Sequence, residues 1–587
     1  MRLPSLSSVT LVIPDQQVAA KAATDVVQGL RKPPRRIRSV HIEIFLAACF
    51  FIGLSAAFGF YLRSDLNRQL DTAMMLEVTD SSARYGTPFS QASAAILDAR
   101  RTWTMQAEAV CKDPLAPGPE SYPNGRQDAL KQHAYYFGYI LAPLTMLFSV
   151  NTAVTATQAL ALTATLLLVY WTLRQEHVNP LGSAVFCALV VAYPVWSLSL
   201  SDDFYMDRYF PPLALTFLIL LYRLLWKTPR RGGILLLGAI VIGGLAALTN
   251  DRSMLYVMGI TAGMIMLAGP NRIRNHWKPI AVLLVFCIVL GSALAYYLKV
   301  LNVGSVDSIP TVGAGIANFY DNMRNPAPFR FGQSYADLTI KFLFENAVLF
   351  GIWGIFSWRF MLLALGAMLP NMVTTLGGAE KIQFSTHYHS QYLPVLLFAV
   401  ALGFASVWQR WRWRAARSGV CLGAAVLGLG LLTFSPGQPG WKFGWNAQNT
   451  GILPVWTFYQ QGSRSGVDTH LREANAITAA VPRGVTVTSI SAVATALNPD
   501  RHWLFYPIGI DTADYAVTFY QKDDTGNPYF GGAVNYTGLG GYFGGAVSYV
   551  DQGKLLDLCL TQRLEKDGYN VRNPTIIGSY AVLKRAT

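Results

Sequence analysis

The sequence is short of charge: of its 587 residues only 14% are Asp, Glu, Lys or Arg, against 52% apolar. An ordinary large water-soluble protein carries more charge than that. Acidic residues are the scarcer sign, 33 against 47 basic, for a net charge of +14. That excess does not read as a nucleic-acid surface. The tail from Gly437 holds twelve Lys/Arg and eleven Asp/Glu, so about +13 belongs to the apolar part, where basic residues report topology. The six cysteines show no metal-ligand spacing. A Walker sequence, a dinucleotide fingerprint and a metalloprotease helix motif are all missing, which argues against ATP-driven chemistry. The stretch up to Gln28 lacks the apolar core of a cleavable signal peptide, so the first apolar run is expected to act as an uncleaved anchor.

What the sequence has in abundance is long apolar runs. Between Ile42 and Ser435 they fall into blocks long enough to cross about 30 Å of hydrocarbon as helices. The expected spans are 42–62, 152–173, 180–200, 209–226, 233–250, 253–270, 279–301, 338–357, 359–377, 390–408 and 419–435, about eleven in all. Basic clusters at Arg31–Arg38, Arg223–Arg231, Arg272–Lys278 and Arg410–Arg417 all fall in alternate loops of this pattern. Basic loops are retained inside, so the expected protein is multi-pass in a bacterial plasma membrane with its N-terminus cytoplasmic. The expected division is a basic N-terminal segment 1–41, a transmembrane domain 42–436 and a periplasmic or extracellular α/β domain 437–587.

The first outer loop, 63–151, is far longer than a connection requires. Leu66, Leu70, Met74 and Val78 recur at helical spacing, and a second such pattern runs from Ala92 to Val110, predicting interfacial helices. The run from His133 to Phe148 is apolar, too short to span and interrupted by Pro143. In the tail, a helical pattern at Asp468–Ala480 precedes the strand patterns VTVTSI, YAVTFY and YAVLKR. Cys111 and Cys559 are the only cysteines expected in the oxidising outer compartment, where a disulfide between them is open.

Charged groups are costly near hydrocarbon, so their positions are the best pointer to function. Asp65, Asp71 and Asp80 follow the first span; Asp202, Asp203, Asp207 and Arg208 fill the connection SDDFYMDR; Asp251 and Arg252 sit in the tight turn TNDRS. His133, His387, Tyr388 and His389 fall at the same expected outer level. Together they suggest an outward-opening cavity with anion-binding and proton-accepting groups. Each has a plainer alternative. Asp71 can be a general base or a solvated carboxylate, and Asp65, six positions away, falls about 240° round a helix from it. Arg208 and Arg252 can grip a phosphate bidentately or simply pair with Asp207 and Asp251. His387 and His389 form a His-x-His pair able to bind zinc, but no third ligand is nearby. A divalent metal is left open, and no other cofactor is indicated.

These motifs resemble those of the bacterial membrane family DUF2079 and, more broadly, the membrane glycosyltransferases of the C-type fold (GT-C). Asp71 opens DTAMMLEVTDSSARYGTP, with Gly86 and Pro88 where that family closes its first-loop segment. His133 precedes an apolar run ending at Pro143 and Leu144; DDFYMDRYFPP matches an acidic and aromatic segment before proline; Asn250 and Asp251 match a polar-acidic turn; HYHSQYLP matches a Tyr/His-rich motif before a span. The Leu-Gly usual after the first Asp is absent, and Asn250 stands where a basic residue is usual. The resemblance implies a polytopic α-helical GT-C-like fold and a polyprenyl-phosphate-linked sugar as donor. It also implies an acidic residue of the first outer loop as base, and basic groups holding the lipid phosphate. Asp71 is then the expected base, with Asp65 and Asp80 as substitutes; His133, Asp203, Asp207, Arg208, Asp251, Arg252, His387, Tyr388 and His389 are expected to bind substrate. The acceptor would be a glycan, lipid or protein, with membrane lipids the only other partner. Two other classes remain, a lipid or glycan transporter and a non-catalytic membrane scaffold. The one-sided placement of the polar groups and the long loop favour the enzyme.

Overall fold

The computed structural model describes residues 35–64, 70–90, 127–131, 134–197, 204–227, 231–301, 312–327, 334–373, 387–410, four positions within 417–423 and, with gaps, 464–586. The chain divides into two compact units, Met1–Gly53 and Leu54–Thr587. The described part of the first is the opening half of helix α1 (Arg35–Ser64), where Ile42, Ile44, Phe45, Leu46 and Phe50 are exposed.

The second unit is a helical bundle followed by a mixed sheet. Its bundle helices are α2 (Leu70–Tyr85), α3 (Phe137–Leu147), α4 (Val150–Gln175), α5 (Pro180–Ala192), α6 (Phe210–Trp226), α7 (Gly232–Ala247), α8 (Asp251–Asn275) and α9 (Trp277–Tyr296). They continue with α10 (Val312–Arg324), α11 (Tyr335–Leu343), α12 (Trp358–Val373) and α13 (Leu393–Arg410). Seven described helical segments are long and apolar enough to cross a membrane, and three apolar helices, α3, α5 and α7, are shorter. The expected eleventh span, 419–435, lies largely outside the described residues.

Local chemistry sets the helix ends. Asn179 caps α5, its side chain accepting from Gly182 N, with Pro180 in the first turn. Ser334 and Asp337 form a reciprocal capping box on α11. Two spans depart from the sequence expectation. α5 stops at Ala192 instead of running to 200, because Tyr193 precedes Pro194 and takes an extended backbone; a single turn, Pro194–Ser197, follows. The run 338–357 is not one helix either. α11 passes into a π-helix, Phe344–Phe350, and a 3₁₀ helix, Gly351–Ser357, before α12. Tyr335 Oη donates to Met372 O at 2.6 Å, so the chain folds back through this irregular segment and ties the start of α11 to the end of α12. Gly351 and Gly354 permit the fold-back: a Cβ at either would lie 2.9 or 2.6 Å from the Met361 side chain.

The bundle core is centred on α6, where Leu215, Phe217, Leu218 and Leu221 are fully buried. α7 approaches it closely through Gly243, whose Cβ would meet the Phe217 ring at 2.9 Å. Between apolar helices in lipid, such small-residue contacts and dispersion hold the pair together. Outward, α9 exposes Val282, Leu284, Val285, Ile288 and Val289 and α7 exposes Ile234 and Leu237, an apolar surface that belongs in hydrocarbon.

α2 carries the first-loop stripe but does not lie open along one face. Met74, Met75, Leu76 and Val78 are buried together with Thr72, Thr79, Ser81 and Ser82. α3 covers one side, with Gly138 allowing approach to Val78. The polar side chains are absorbed locally: the hydroxyls of Thr79 and Ser82 donate to Met75 O and Val78 O, and Ser81 pairs with Phe89 in the short strand β1 (Phe89–Ser90). β1 pairs antiparallel with β2 (Gln127–Asp128). The second expected loop helix, 92–110, lies outside the described residues.

Beyond residue 464 stand α14 (Arg464–Ala480), β3 (Thr486–Ser489), β4 (His502–Phe505), β5 (Tyr515–Lys522), β6 (Pro528–Gly531), α15 (Tyr549–Lys566), β7 (Thr575–Ile577) and β8 (Tyr580–Lys584). The strands form one six-stranded sheet of order β4-β3-β5-β8-β7, with β6 also on β5. β3 runs parallel to β4 and β5; the remaining pairs are antiparallel. Its core residues, among them Val487, Trp503, Val517 and Leu583, share one apolar cluster with α2, α3 and residues 204–209. Cys559 on α15 is in a disulfide; Cys49, Cys187 and Cys287 are free, and Cys111 lies outside the described residues.

Candidate functional site

The polar centre of the bundle lies at the end where α6, α8 and α13 begin. Pro211 and Pro212 cannot donate the hydrogen bonds that would extend a helix backwards, and α6 is preceded by a 3₁₀ turn, Met206–Tyr209. That turn carries Asp207 and Arg208, 0% and 1% exposed. Asp207 is held from two directions: Asn250 Nδ2 donates to one carboxylate oxygen at 3.2 Å and Gln391 Nε2 to the other at 2.6 Å. Asn250 also caps α8, its Oδ1 accepting from Arg252 N at 3.1 Å. The cap places Asp251 and Arg252 in the first turn of α8.

Arg252 sits among aromatic and acidic groups. Its guanidinium lies 5.2 Å over the Tyr388 ring, and Asp207 and Asp251 both act on it electrostatically. Tyr388 belongs to the 3₁₀ turn His387–His389, anchored by Asn371 Nδ2 donating to Tyr388 O at 3.1 Å. From there the polar chain runs inward. His389 Nδ1 lies 3.0 Å from Tyr392 Oη, and Tyr392 donates to Asn346 Oδ1 at 2.9 Å. Tyr193 donates to the same oxygen, and Asn346 Nδ2 donates to Phe342 O at 2.7 Å. Glu345, also buried, sits beside Asn346 on the π-helix, a rare geometry that recurs at functional sites.

The first-loop elements close over this centre. Phe204 N donates to Thr72 Oγ1 at 2.8 Å, tying the start of α2 to the segment leading into Asp207. Tyr209 Oη is 2.6 Å from Thr157 Oγ1 on α4 and its ring stacks on Phe137 of α3 at 4.7 Å. Phe137 N donates to Leu248 O at 2.8 Å, which fixes α3 against the turn before Asn250.

Of the residues singled out from sequence, the structure gathers Asp207, Arg208, Asp251, Arg252, Tyr388 and His389 at one end of the bundle. Asp71 lies next to Thr72 in the first turn of α2, and His387 opens the 3₁₀ turn before Tyr388; the structure describes their backbones. Asp80 is two turns further along α2, in an i,i+4 ion pair with Arg84 at 2.9 Å. Asp65, His133 and Asp203 lie outside the described residues. Gln391, Asn346, Tyr193, Tyr392 and Glu345 belong to the centre and were not singled out one by one; Gln391 and Tyr392 fall inside the HYHSQYLP motif, and Glu345 is a charge inside an apolar run. Among the described residues no three His, Cys, Asp or Glu are grouped so as to hold a metal.

The pattern described as "Predicted membrane protein (DUF2079)" matches residues 116–516, more than half of the chain. No curated protein matches. Among solved structures, ArnT from Cupriavidus metallidurans is similar in its apo state, with 12% identity, 81% of this chain and 93% of that chain covered, and a TM-score of 0.43. The same protein bound to undecaprenyl phosphate aligns with 12% identity over 78% of this chain and 86% of that one, at a TM-score of 0.42. The archaeal oligosaccharyltransferase AglB from Archaeoglobus fulgidus, in complex with an inhibitory peptide and a dolichol-phosphate, aligns with 10% identity over 91% of this chain and 88% of that one, at a TM-score of 0.38. Matched over residues 116–516 and built as a multi-helix apolar bundle, the chain belongs to the DUF2079 family of predicted membrane proteins.

Proposed function

We propose that the chain is a membrane glycosyltransferase that moves a sugar from a polyprenyl-phosphate donor to a glycan, lipid or protein acceptor at the outer face of the membrane. One observation carries this reading: the start of α2, with Asp71, is hydrogen-bonded through Thr72 to the segment that delivers Asp207 and Arg208, at the bundle end where Arg252 also sits. A lipid-linked donor keeps its tail in hydrocarbon and its phosphate at the interface. An enzyme using it therefore needs a proton acceptor from a water-exposed loop and cations from the span ends at one point. Asp71 is the proposed base. It takes the proton of the attacking acceptor hydroxyl as the bond from the sugar's anomeric carbon to phosphate breaks and the bond to the acceptor oxygen forms. Arg208 and Arg252 stabilise the departing prenyl phosphate, with Tyr388 and His389 shaping that subsite. The sheet-bearing segment, proposed to begin near residue 437 as a water-soluble domain, lies on the same side and shares its apolar cluster with α2.

The test is sugar transfer by purified protein in lipid, across a panel of polyprenyl-phosphate sugars, comparing wild type with Asp71→Asn at equal folding. Release of prenyl phosphate by wild type and a rate about a hundredfold lower in the variant is the expected result, the scale of a lost general base. Wild-type transfer that survives Asp71→Asn moves the base to Asp65 or Asp80; no transfer with any donor refutes the enzyme. The second reading, a lipid or glycan transporter, draws on one feature, the broken helix 344–357 with Glu345 inside the bundle. Movement of a fluorescent prenyl-linked glycan between leaflets, without transfer, would select it.

A further inference from the structure

Gln158 is fully buried on α4, and neither its Nε2 nor its Oε1 has a hydrogen-bond partner among the described residues. An amide withdrawn from water with both ends unmet opposes folding, so its presence in a native core calls for a ligand or an ordered water that completes it. Its position is informative. Val154 and Ala161 share its helix face at i−4 and i+3, and both pack in the cluster that contains Met74, Met75 and Leu76 of α2 with Phe204 and Met206. The preceding residue, Thr157, contacts Tyr209, two positions after Asp207. Leu162, at i+4, packs in the other cluster with Phe58 and Trp196, so Gln158 lies where the two clusters meet, one residue along α4 from the contact to the Asp207 turn.

The chemistry of the unmet atoms narrows the ligand. A phosphate or carboxylate at neutral pH offers only acceptors and would leave Oε1 unsatisfied. A hydroxyl or an acetamido group both donates and accepts, so it answers both ends of the amide. Gln158 carries no charge, which suits a neutral part of the substrate held apart from the arginines. We infer that Gln158 is a substrate-binding residue that reads a hydroxyl or acetamido group of the transferred sugar; this rests on the glycosyltransferase reading.

The experiment compares wild type, Gln158→Leu and Gln158→Met in lipid nanodiscs. Binding is measured for bare undecaprenyl phosphate and for the same lipid carrying a hexose, a pentose or an N-acetylhexosamine, and each protein's melting temperature is recorded. Wild type is expected to bind one sugar-bearing lipid at least about tenfold more tightly than the bare lipid, the scale of one well-made hydrogen-bonded pair. Both variants should lose that margin, bind the bare lipid as wild type does, and melt no lower, because an apolar side chain of similar size leaves nothing unsatisfied. Variants that keep the sugar margin overturn the inference while the glycosyltransferase reading stands. Variants that both melt well below wild type overturn it too, since the amide would then have a structural partner. A wild type with no margin for any sugar-bearing lipid sinks the donor assignment itself, a result visible before any variant is read.

Discussion

Replacing Asp207 by Asn tests whether the centre is an electrostatic unit. The side chain keeps its shape but loses its charge and one acceptor. Asn250 cannot turn its amide to compensate, because its Oδ1 is committed to the cap on Arg252 N at 3.1 Å. Gln391 can turn, so the new Asn can satisfy Asn250 with its oxygen and Gln391 with its nitrogen. What remains lost is charge assistance on two hydrogen bonds, about 1 kcal/mol each, plus one of the two carboxylates acting on Arg252, together about 2–4 kcal/mol. Arg252→Gln alone leaves Asp207 short of a countercharge and should cost a similar amount. The double variant should cost clearly less than the two singles combined, by about 1 kcal/mol or more. Reversible denaturant unfolding in mixed micelles reads these differences. An Asp207→Asn protein within about 0.5 kcal/mol of wild type, or strict additivity in the double variant, would refute the coupling.

His177, the only described non-glycine residue with a positive φ, closes the end of α4 in the left-handed region at φ 60°, its N–H donating to Arg174 O. His177→Gly should stabilise by about 0.5–1 kcal/mol in the same unfolding measurement. Gly403→Ala should prevent accumulation of folded protein in detergent, because a Cβ there would overlap the backbone oxygen of Trp353 and neither helix can yield cheaply. Tyr569 donates from its phenol to Ala513 O at 2.7 Å, and burial pushes its pKa above the ordinary value of 10. With the folded-state value raised, its contribution is complete below about pH 10 and is lost as pH climbs further, so wild type should lose stability on that limb faster than Tyr569→Phe.

The bundle could be anticipated from sequence wherever apolar length and a polar boundary coincide, as at Asn179–Pro180 or Asn250–Asp251. Where the chain bends inside hydrocarbon, hydropathy says nothing. Phe344–Ser357 passes a hydropathy window despite Glu345 and Asn346, and the close approach of Gly351 and Gly354 to Met361, which accompanies its π and 3₁₀ turns, is a tertiary fact. The same asymmetry governs the site. Asp207, Arg208 and Arg252 stood out because a charge is expensive near lipid. The buried amides of the same centre are neutral and far apart in sequence, Asn250 and Gln391 on Asp207 and Asn346 under Tyr193 and Tyr392, so no spacing rule unites them. Pro194 announced the early end of α5, but the expected span was drawn through it.

Asn250 closes one circuit with its oxygen and another with its nitrogen, and that duality restricts which amino acids the position tolerates. Asp would keep the helix start and set a second negative charge against Asp207. Ser offers both a lone pair and a proton, but from a single atom that reaches only one partner well. Gln carries both functions on a longer arm that overshoots the cap. Across substitutions at 250, a basic residue should therefore be the best tolerated, keeping the contact to Asp207 while giving up the cap, and residues that lose both should destabilise most.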